Sequence, residues 1–394
     1  MLAQGNAVSV IHVATSHTGG AGIAARRINS ELNSVGVKSS FYALSKKGFK
    51  PQINEYALDR TLIQRLLGVS SRIMSDRLIN QSFFSITSSP GVSTEWLIRK
   101  VRRERAVLHI HNWFNLLTNR QLKKLISSGI PILVTLHDQR FMTGGCHTAL
   151  NCTKFRDGCF SCPRIPAPFR PKIRHNNAIF SHLFNKPLAN LRIVAPSRFI
   201  QSQAKQSNLL KMQEIVFVPN VLSRKYLQGI KRVGHKYNSR DLTFGIASLN
   251  NNDWLKGSDI VNSLIDHYKK DSGINFEFLT NFDEGREEFF WQSINCLLVP
   301  SRGDNSPNVI HEAKIRGIPV IASEVGGITE LLSENFDFKV ASKNLNVNGF
   351  IQAIEKVRKR EIGPAQVAKM MEDFESYSAG SIDKLVKTYT TLLN

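Results

Sequence analysis

Short runs of aliphatic and β-branched residues alternate with helix-forming stretches along the chain, and that rhythm restricts it to a parallel α/β architecture. The first unit is Val8-Ser-Val-Ile-His-Val-Ala14, then Thr15-Ser-His-Thr-Gly-Gly20, then Ala21 to Leu32. A buried strand, a glycine turn and a helix in that order open a doubly wound domain. Runs of the same kind recur at Val107–His111, Ile132–His137 and Arg192–Ala195, with Asn119–Ser128 among the helical stretches between them. Ile215-Val-Phe-Val-Pro-Asn-Val221 reads as a last strand, and a second series starts at Leu242–Ala247. It continues through Asn275–Leu279, Cys296–Val299 and Pro319–Ala322. A chain of 394 residues exceeds what one core organises. The expected layout is a first Rossmann-like domain over 1–221, a polar and basic linker over 222–241, and a second domain over 242–372. A final helical segment, 373–394, is free to return to the first domain.

Charge divides at the same place. Residues 1–221 hold 30 Lys and Arg against 9 Asp and Glu, and residues 222–394 hold 22 against 22, so the whole net charge of +21 sits in the first half. A basic half suggests that one domain faces a polyanion or an anionic membrane. Nucleic acid competes with that reading, although no nucleic-acid-binding motif is present. No apolar run approaches the ~18 residues of a membrane span, and Met1–Asn6 lacks the pattern of a secretion signal. The expected location is cytoplasmic.

The most informative stretch runs Val299-Pro-Ser-Arg-Gly-Asp-Asn-Ser-Pro-Asn-Val-Ile-His-Glu-Ala313, then Arg316-Gly-Ile-Pro-Val-Ile-Ala322 and Gly326-Gly-Ile-Thr-Glu330. A buried strand ends near Pro300 and a polar loop follows. Ser306 is the expected N-cap, Pro307 the expected first helical residue, and Gly317 the expected stop. The helix start then lies at the carboxyl edge of a parallel sheet, where free N–H groups favour phosphate. Asn308 and Glu312 share a helix face, with Asp304 just ahead of them. The plain alternative is a capped loop and a helix carrying an exposed glutamate.

This stretch resembles the donor-binding motif of glycosyltransferase family 4, retaining enzymes of the GT-B fold, in which seven residues separate two acidic ones. Asp304, where many members have Glu, is followed by Asn305-Ser306-Pro307-Asn308, which resembles the branch associated with colanic-acid and exopolysaccharide synthesis. The resemblance implies two Rossmann-like domains with parallel sheets facing each other across a cleft. It implies that Glu312 binds the ribose hydroxyls, that Asp304 contacts the donor sugar, and that Asn305, Ser306, Pro307 and Asn308 belong to the donor site. Phe244-Gly-Ile-Ala-Ser-Leu-Asn-Asn-Asn-Asp-Trp-Leu-Lys-Gly257 resembles the family segment ending in Lys-Gly before a helix, so Lys256 would neutralise the departing diphosphate. The arginine often found several residues earlier is missing. Gly19-Gly20 matches the first-strand glycine loop. His137 would position the sugar near the anomeric centre, and His111 and Trp113 could line the acceptor side. The expectation for His109 and His111 is that they project to opposite faces of their strand, so that at most one reaches the cleft. As the chain has no Asp-x-Asp triplet, no divalent ion is expected in catalysis.

Four of the five cysteines, Cys146, Cys152, Cys159 and Cys162, fall in one loop, 146–162. In a reducing compartment the readings are a structural zinc site with His147 as spare ligand, unliganded thiols, or disulfides. Leu62 to Ile79 mixes apolar residues with Arg65, Arg72 and Arg77, and Arg99–Arg105 is a dense basic run, so either could lie on anionic lipid. The function implied is metal-independent transfer of a hexose-type sugar from a nucleoside-diphosphate sugar to a lipid-linked or saccharide acceptor in surface polysaccharide synthesis. A sugar-nucleotide epimerase or hydrolase on the same fold, and a basic nucleic-acid-binding protein, stay open.

Overall fold

The computed structural model describes residues 8–46, 51–64, 66, 69, 89–222, 241–248, 253–271, 273–280, 284–360 and 362–394. Most of the linker expected over 222–241, and Arg65, Arg72 and Arg77, lie outside the described residues. The chain divides into two compact units, residues 1–225 with 380–394, and residues 226–379.

The first unit is built on a seven-stranded parallel sheet. Its strands are β1 (Ser9–Ala14), β2 (Lys38–Leu44), β3 (Glu55–Leu58), β4 (Ala106–Asn112), β5 (Ile132–Thr135), β6 (Leu191–Ala195) and β7 (Ile215–Phe217). They lie in the order β3-β2-β1-β4-β5-β6-β7, so the winding reverses between β1 and β4. In doubly wound sheets the crevice at that reversal is where ligands bind. The helices are α1 (Gly19–Ser34), α2 (Thr94–Glu104), α3 (Asn119–Ser127), α4 (Arg170–Ser181) and α5 (Arg198–Gln206). α2 is capped by Ser93 and α3 by a capping box of Thr118 with Gln121.

The two-residue period of the strands sorts their side chains into two cores. Ile11, Val13, Leu108, Ile110, Ile132 and Val134 pack on one face with Leu97 and Val101 of α2 and Leu122 and Leu125 of α3. Val10, Val107, Leu133 and Val194 pack on the other with Ile28 and Leu32 of α1. That second face is completed by Leu385, Tyr389 and Leu392 of the chain's last helix, Ser381–Leu393. Along this face the strands change chemistry toward their carboxyl ends, from Val10, Val107 and Leu133 to His12, His109 and Thr135, then to His111.

The second unit holds β8 (Leu242–Ala247), β9 (Ile274–Leu279), β10 (Cys296–Val299), β11 (Val320–Ser323) and β12 (Phe338–Val340), parallel in the order β12-β11-β10-β8-β9. Its helices are α6 (Ser258–Tyr268), α7 (Glu284–Ser293), α8 (Asn308–Lys314), α9 (Val347–Lys359) and α10 (Pro364–Ser378), and the last helix above is α11. Phe244, Ile246, Leu298 and Ile321 pack against Ile260 and Leu264 of α6 and Phe350 and Ile354 of α9. Beneath α8, Lys314 and Asp337 form a fully buried ion pair. The Asp337 carboxylate also accepts from the backbone N–H of Val320 (3.0 Å) and Ser333 (2.6 Å). These extra bonds satisfy the acceptor that burial would otherwise leave costly. No helix among the described residues is long and apolar enough to cross a membrane.

Candidate active site

In the second unit, two loops at the carboxyl edge of the sheet are locked together. Gly257, with φ +77°, lies against the end of β10, where an added Cβ would fall 2.2 Å from the Pro300 carbonyl oxygen. Arg302 closes the other side. Its backbone N–H donates to the Leu255 carbonyl at 2.8 Å, and its guanidinium to the Trp254 carbonyl at 2.7 Å. The same guanidinium grips Asp259 with two 2.7 Å bonds and stacks 4.4 Å from the Trp254 ring. A planar fork is suited to such bidentate pairing. The result places Lys256 Nζ 2.5 Å from Asp304 Oδ2. Burial pulls the Lys256 pKa down, but the Asp304 carboxylate outweighs it and holds the ammonium above its ordinary value. A cavity of about 100 Å³ adjoins Lys256, lined by Ile246, Ser248, Ser258, Val261, Asn262 and Phe278.

The backbone of Asp304 is fixed from the far side by the turn after β11. Gly327 donates its N–H to the Asp304 carbonyl at 2.9 Å, and Gly326 (φ +56°) sits so close that a Cβ would meet the same oxygen at 2.2 Å. Ser323 Oγ donates to the Ser301 carbonyl, and Asn305 and Pro307 are buried in the loop.

The helix start differs from the sequence expectation. α8 begins at Asn308, and Pro307 is the N-cap, with extended backbone (ψ 122°) and no side-chain cap bond. Ser306 is not the cap, because its hydroxyl is engaged with His311 Nε2 at 3.0 Å instead of a free N–H. Glu312 is only 3% exposed, which removes the surface-glutamate alternative. Arg316 donates to the Glu312 carbonyl at 3.0 Å and stacks 4.8 Å from Trp291, so the helix turn bearing Glu312 is held rigidly.

In the first unit, Gly19 (φ +78°) and Gly20 open α1 above the end of β1. Gly22 presses that helix onto the loop, where a Cβ would fall 2.2 Å from the Ser16 carbonyl. His109 and His111 do not project to opposite faces. Residues two apart in a strand share a face, and these two rings lie against each other, tilted by 34° with centroids 3.9 Å apart. His111 is buried, with Nε2 2.9 Å from His12 Nδ1 and Nδ1 3.0 Å from His137 Nε2. His109 lies between Thr135 Oγ1 (2.7 Å) and the Tyr389 hydroxyl (2.8 Å). Burial pushes His12 down to about 3 and His137 to about 4, and holds His109 and His111 well below their ordinary value. All four rings are therefore neutral near pH 7. Trp113 is buried too, stacking edge-on to Phe141 at 5.4 Å. Neither His111 nor Trp113 lies on an open surface.

Cys146, Cys159 and Cys162 are buried and Cys152 is half-buried, all as free cysteines. Burial raises the thiols of Cys146 and Cys159 to about 12 and about 11. Among the described residues, the group of three or more His, Cys, Asp or Glu whose ligand atoms lie within 4.8 Å of one another is His12, His109 and His111; the cysteines form no such group.

Residues 238–360, which include Lys256, Asp304 and Glu312, match the family model for glycosyl transferases group 1. No curated protein matches the chain. Solved structures do. Sucrose-phosphate synthase from Thermosynechococcus elongatus superposes with a TM-score of 0.64 at 14% identity, over 98% of this chain and 99% of that one. WaaG, a glycosyltransferase involved in lipopolysaccharide biosynthesis, gives 0.58 at 12%, over 97% and 99%. Anabaena HepE, solved in complex with UDP, gives 0.55 at 13%, over 98% and 100%. The fold is GT-B. The family match and the fold together support glycosyl transfer.

Arg302, Gly257 and Gly326 lie inside the quoted stretches, but the sequence assigns none of them a role of its own. The two glycines carried a usable signal, since each adjoins a polar loop at a strand end. Arg302 carried none.

Proposed function

We propose that this protein is a retaining glycosyltransferase that moves a hexose-type sugar from a nucleoside-diphosphate sugar to a lipid-linked or saccharide acceptor in bacterial-type surface polysaccharide synthesis. The observation that carries the proposal is the Lys256–Asp304 ion pair, which lies, like buried Glu312, inside the segment that matches the family model. Glu312 accepts the ribose hydroxyls, and charge-assisted bonds of this kind are short and strong. Lys256 leaves Asp304 for the diphosphate when the donor arrives, and Asp304, relieved of its partner, turns to the sugar hydroxyls. As the glycosidic bond breaks, negative charge grows on the diphosphate and positive charge on the anomeric carbon. A preorganised ammonium and carboxylate stabilise both ends. His137 positions the sugar, and no metal ion is needed.

The first unit serves the acceptor. Its surface charge fits an anionic lipid face. Arg99, Arg102, Arg103 and Arg105 are exposed on and just after α2, whose other side packs into the core. Leu62, Ile63, Leu66 and Val69 are each 57–74% exposed. Basic and apolar side chains together suit peripheral attachment to the inner face of the cell membrane, worth about 1 kcal/mol per basic residue near the surface. The cysteine loop plays no catalytic part. A structural zinc there would have to draw its sulfurs together and deprotonate them.

The test is to incubate the protein with a panel of nucleoside-diphosphate sugars, with and without lipid extract, and analyse products. Sugar appearing on lipid or saccharide supports transfer. Free sugar or an altered nucleotide sugar, independent of acceptor, would replace it with hydrolysis or epimerisation.

A further inference from the structure

We infer that Arg140 binds an oxyanion on the acceptor, so that the acceptor is an acidic saccharide bearing phosphate or carboxylate. The inference rests on the acceptor role given above to the first unit and names the chemistry of that acceptor. Arg140 follows β5 at the carboxyl edge of the seven-stranded sheet, beside the segments that leave β1 and β4. Its guanidinium lies 4.5 Å from the centre of the Phe114 ring. Thr15, just after β1, fixes the backbone beneath that ring. Its hydroxyl donates to the Phe114 carbonyl, with the Asn112 carbonyl 3.3 Å away. Asn112 Oδ1 accepts the Phe114 N–H at 3.1 Å. Segments from three strand ends thus meet at one arginine where the winding reverses, the place at which doubly wound sheets bind ligands.

This arginine is buried without a full set of partners. Only 11% of its side chain is exposed. Burial pulls its pKa down, and the Asp138 carboxylate pulls the other way. Nη1 lies 3.4 Å from Asp138 Oδ2 and donates to Asn112 Oδ1 at 3.4 Å, both long for a charged group. Asp138 Oδ1 is taken by the backbone N–H of Arg140 at 2.9 Å. Nε is buried and has no hydrogen-bond partner. Its N–H belongs to the side edge of the fork, away from Nη1, and such an edge matches two oxygens of a carboxylate or phosphate. A buried charge with a stranded N–H is costly, and an incoming oxyanion removes that cost. The loop around it is tied down. Gln139 donates its N–H to the His147 carbonyl at 2.8 Å and accepts the Ala149 N–H, and the Thr143 N–H returns to the Arg140 carbonyl at 3.4 Å. Burial, then the Arg140 charge, hold His147 at about 4. Near pH 7 the arginine, and not this histidine, supplies the positive charge.

Binding at Arg140 is measured with no donor and no transfer, so this idea and the transferase reading fail separately. The arginine Nε–H gives its own signal in ¹H–¹⁵N spectra, assigned by its loss in Arg140→Gln. The whole chain is titrated in turn with glucuronate, glucose 6-phosphate, neutral methyl glucoside, sodium phosphate and UDP. At least one acidic sugar should shift the Arg140 signal and bind at least about tenfold more tightly than methyl glucoside. Arg140→Gln should abolish that preference. A response to glucuronate makes the acceptor's group a carboxylate and a response to glucose 6-phosphate makes it a phosphate, and either supports the proposal. It is overturned if neither acidic sugar moves the signal, or if methyl glucoside moves it as readily. Sodium phosphate binding as tightly as glucose 6-phosphate would mean an adventitious ion only, and a stronger response to UDP than to both acidic sugars would give Arg140 to the donor; each overturns it. Should Arg140→Gln not fold, Arg140→Lys assigns the signal in its place and the wild-type titrations decide.

Discussion

Lys256 and Asp304 neutralise each other when no donor is bound, so changing either one alters the other's charge environment. Asp304→Asn leaves Lys256 with no competing carboxylate, and nucleoside-diphosphate affinity should hold or rise. Transfer should fall by at least about tenfold, because a charge-assisted bond to the sugar, worth roughly 1.5–3 kcal/mol, is lost. Calorimetry beside a rate measurement separates the two. Equal loss of binding and transfer would put Asp304 on the nucleotide. The setting of Asp304 and Glu312, a polar Pro-containing loop after a strand and a Gly-terminated helix, was legible in the sequence. The histidines were legible as residues but not in their arrangement. His109 and His111 lie on one face, and His12, which completes the cluster, comes from a strand about a hundred residues away. Local pattern carries no information about such a meeting.

The loops that carry these residues depend on two glycines. Gly257→Ala and Gly326→Ala would each force an L-residue into left-handed backbone, at about 1–2 kcal/mol, and would drive a Cβ into the Pro300 or Asp304 carbonyl. Both should lower the melting temperature modestly and transfer strongly, since the Lys256–Asp304 pair is the part displaced. A Gly→Ala variant with normal transfer would mean that the two loops need not be locked. The sequence pattern places the start of α8 one residue too early, since Ser306 and Pro307 match an N-cap and first-turn pair by type. Tertiary contact decided otherwise, as His311 claims the serine hydroxyl. The cysteine loop is a separate question. If a zinc site forms there, freshly reduced protein should contain about one equivalent that Cys159→Ser and Cys162→Ser both remove. Metal-free protein would leave buried thiols packed in the core.

Across the whole molecule, the two α/β units followed from the alternation of strands and helices. The packing of α11 on the first sheet was less legible, because an amphipathic helix does not name the face it will cover. The units should also answer differently to acid. His12, His109, His111, His137 and His147 all lie in the first unit, and burial lowers the pKa of each, to about 4 in His147. A lowered histidine stabilises the fold above the unfolded value near 6.5 and loses that contribution as pH falls toward 4, at up to about 1.4 kcal/mol per pH unit for each ring. Hydrogen exchange should therefore show β4 and β5 losing protection between pH 6.5 and 4 before β10 and β11 do. Simultaneous loss would mean that the histidines do not set the acid limit. Sedimentation with liposomes belongs to the same scale. Binding should favour anionic over neutral lipid and weaken as salt rises, whereas a preference for RNA would redirect the basic face to nucleic acid.

On the function proposed above, the second unit holds a nucleotide-sugar donor through Glu312. Titration calorimetry of wild type and Glu312→Gln with a panel of nucleoside diphosphates tests it directly. The variant keeps the volume of the buried side chain and removes only its charge. One nucleoside diphosphate should bind the wild type, and the variant should bind it at least about tenfold more weakly with an unchanged melting temperature in the absence of ligand. Equal affinity in the two proteins, or no binding of any nucleoside diphosphate to the wild type, would mean that Glu312 does not hold a donor.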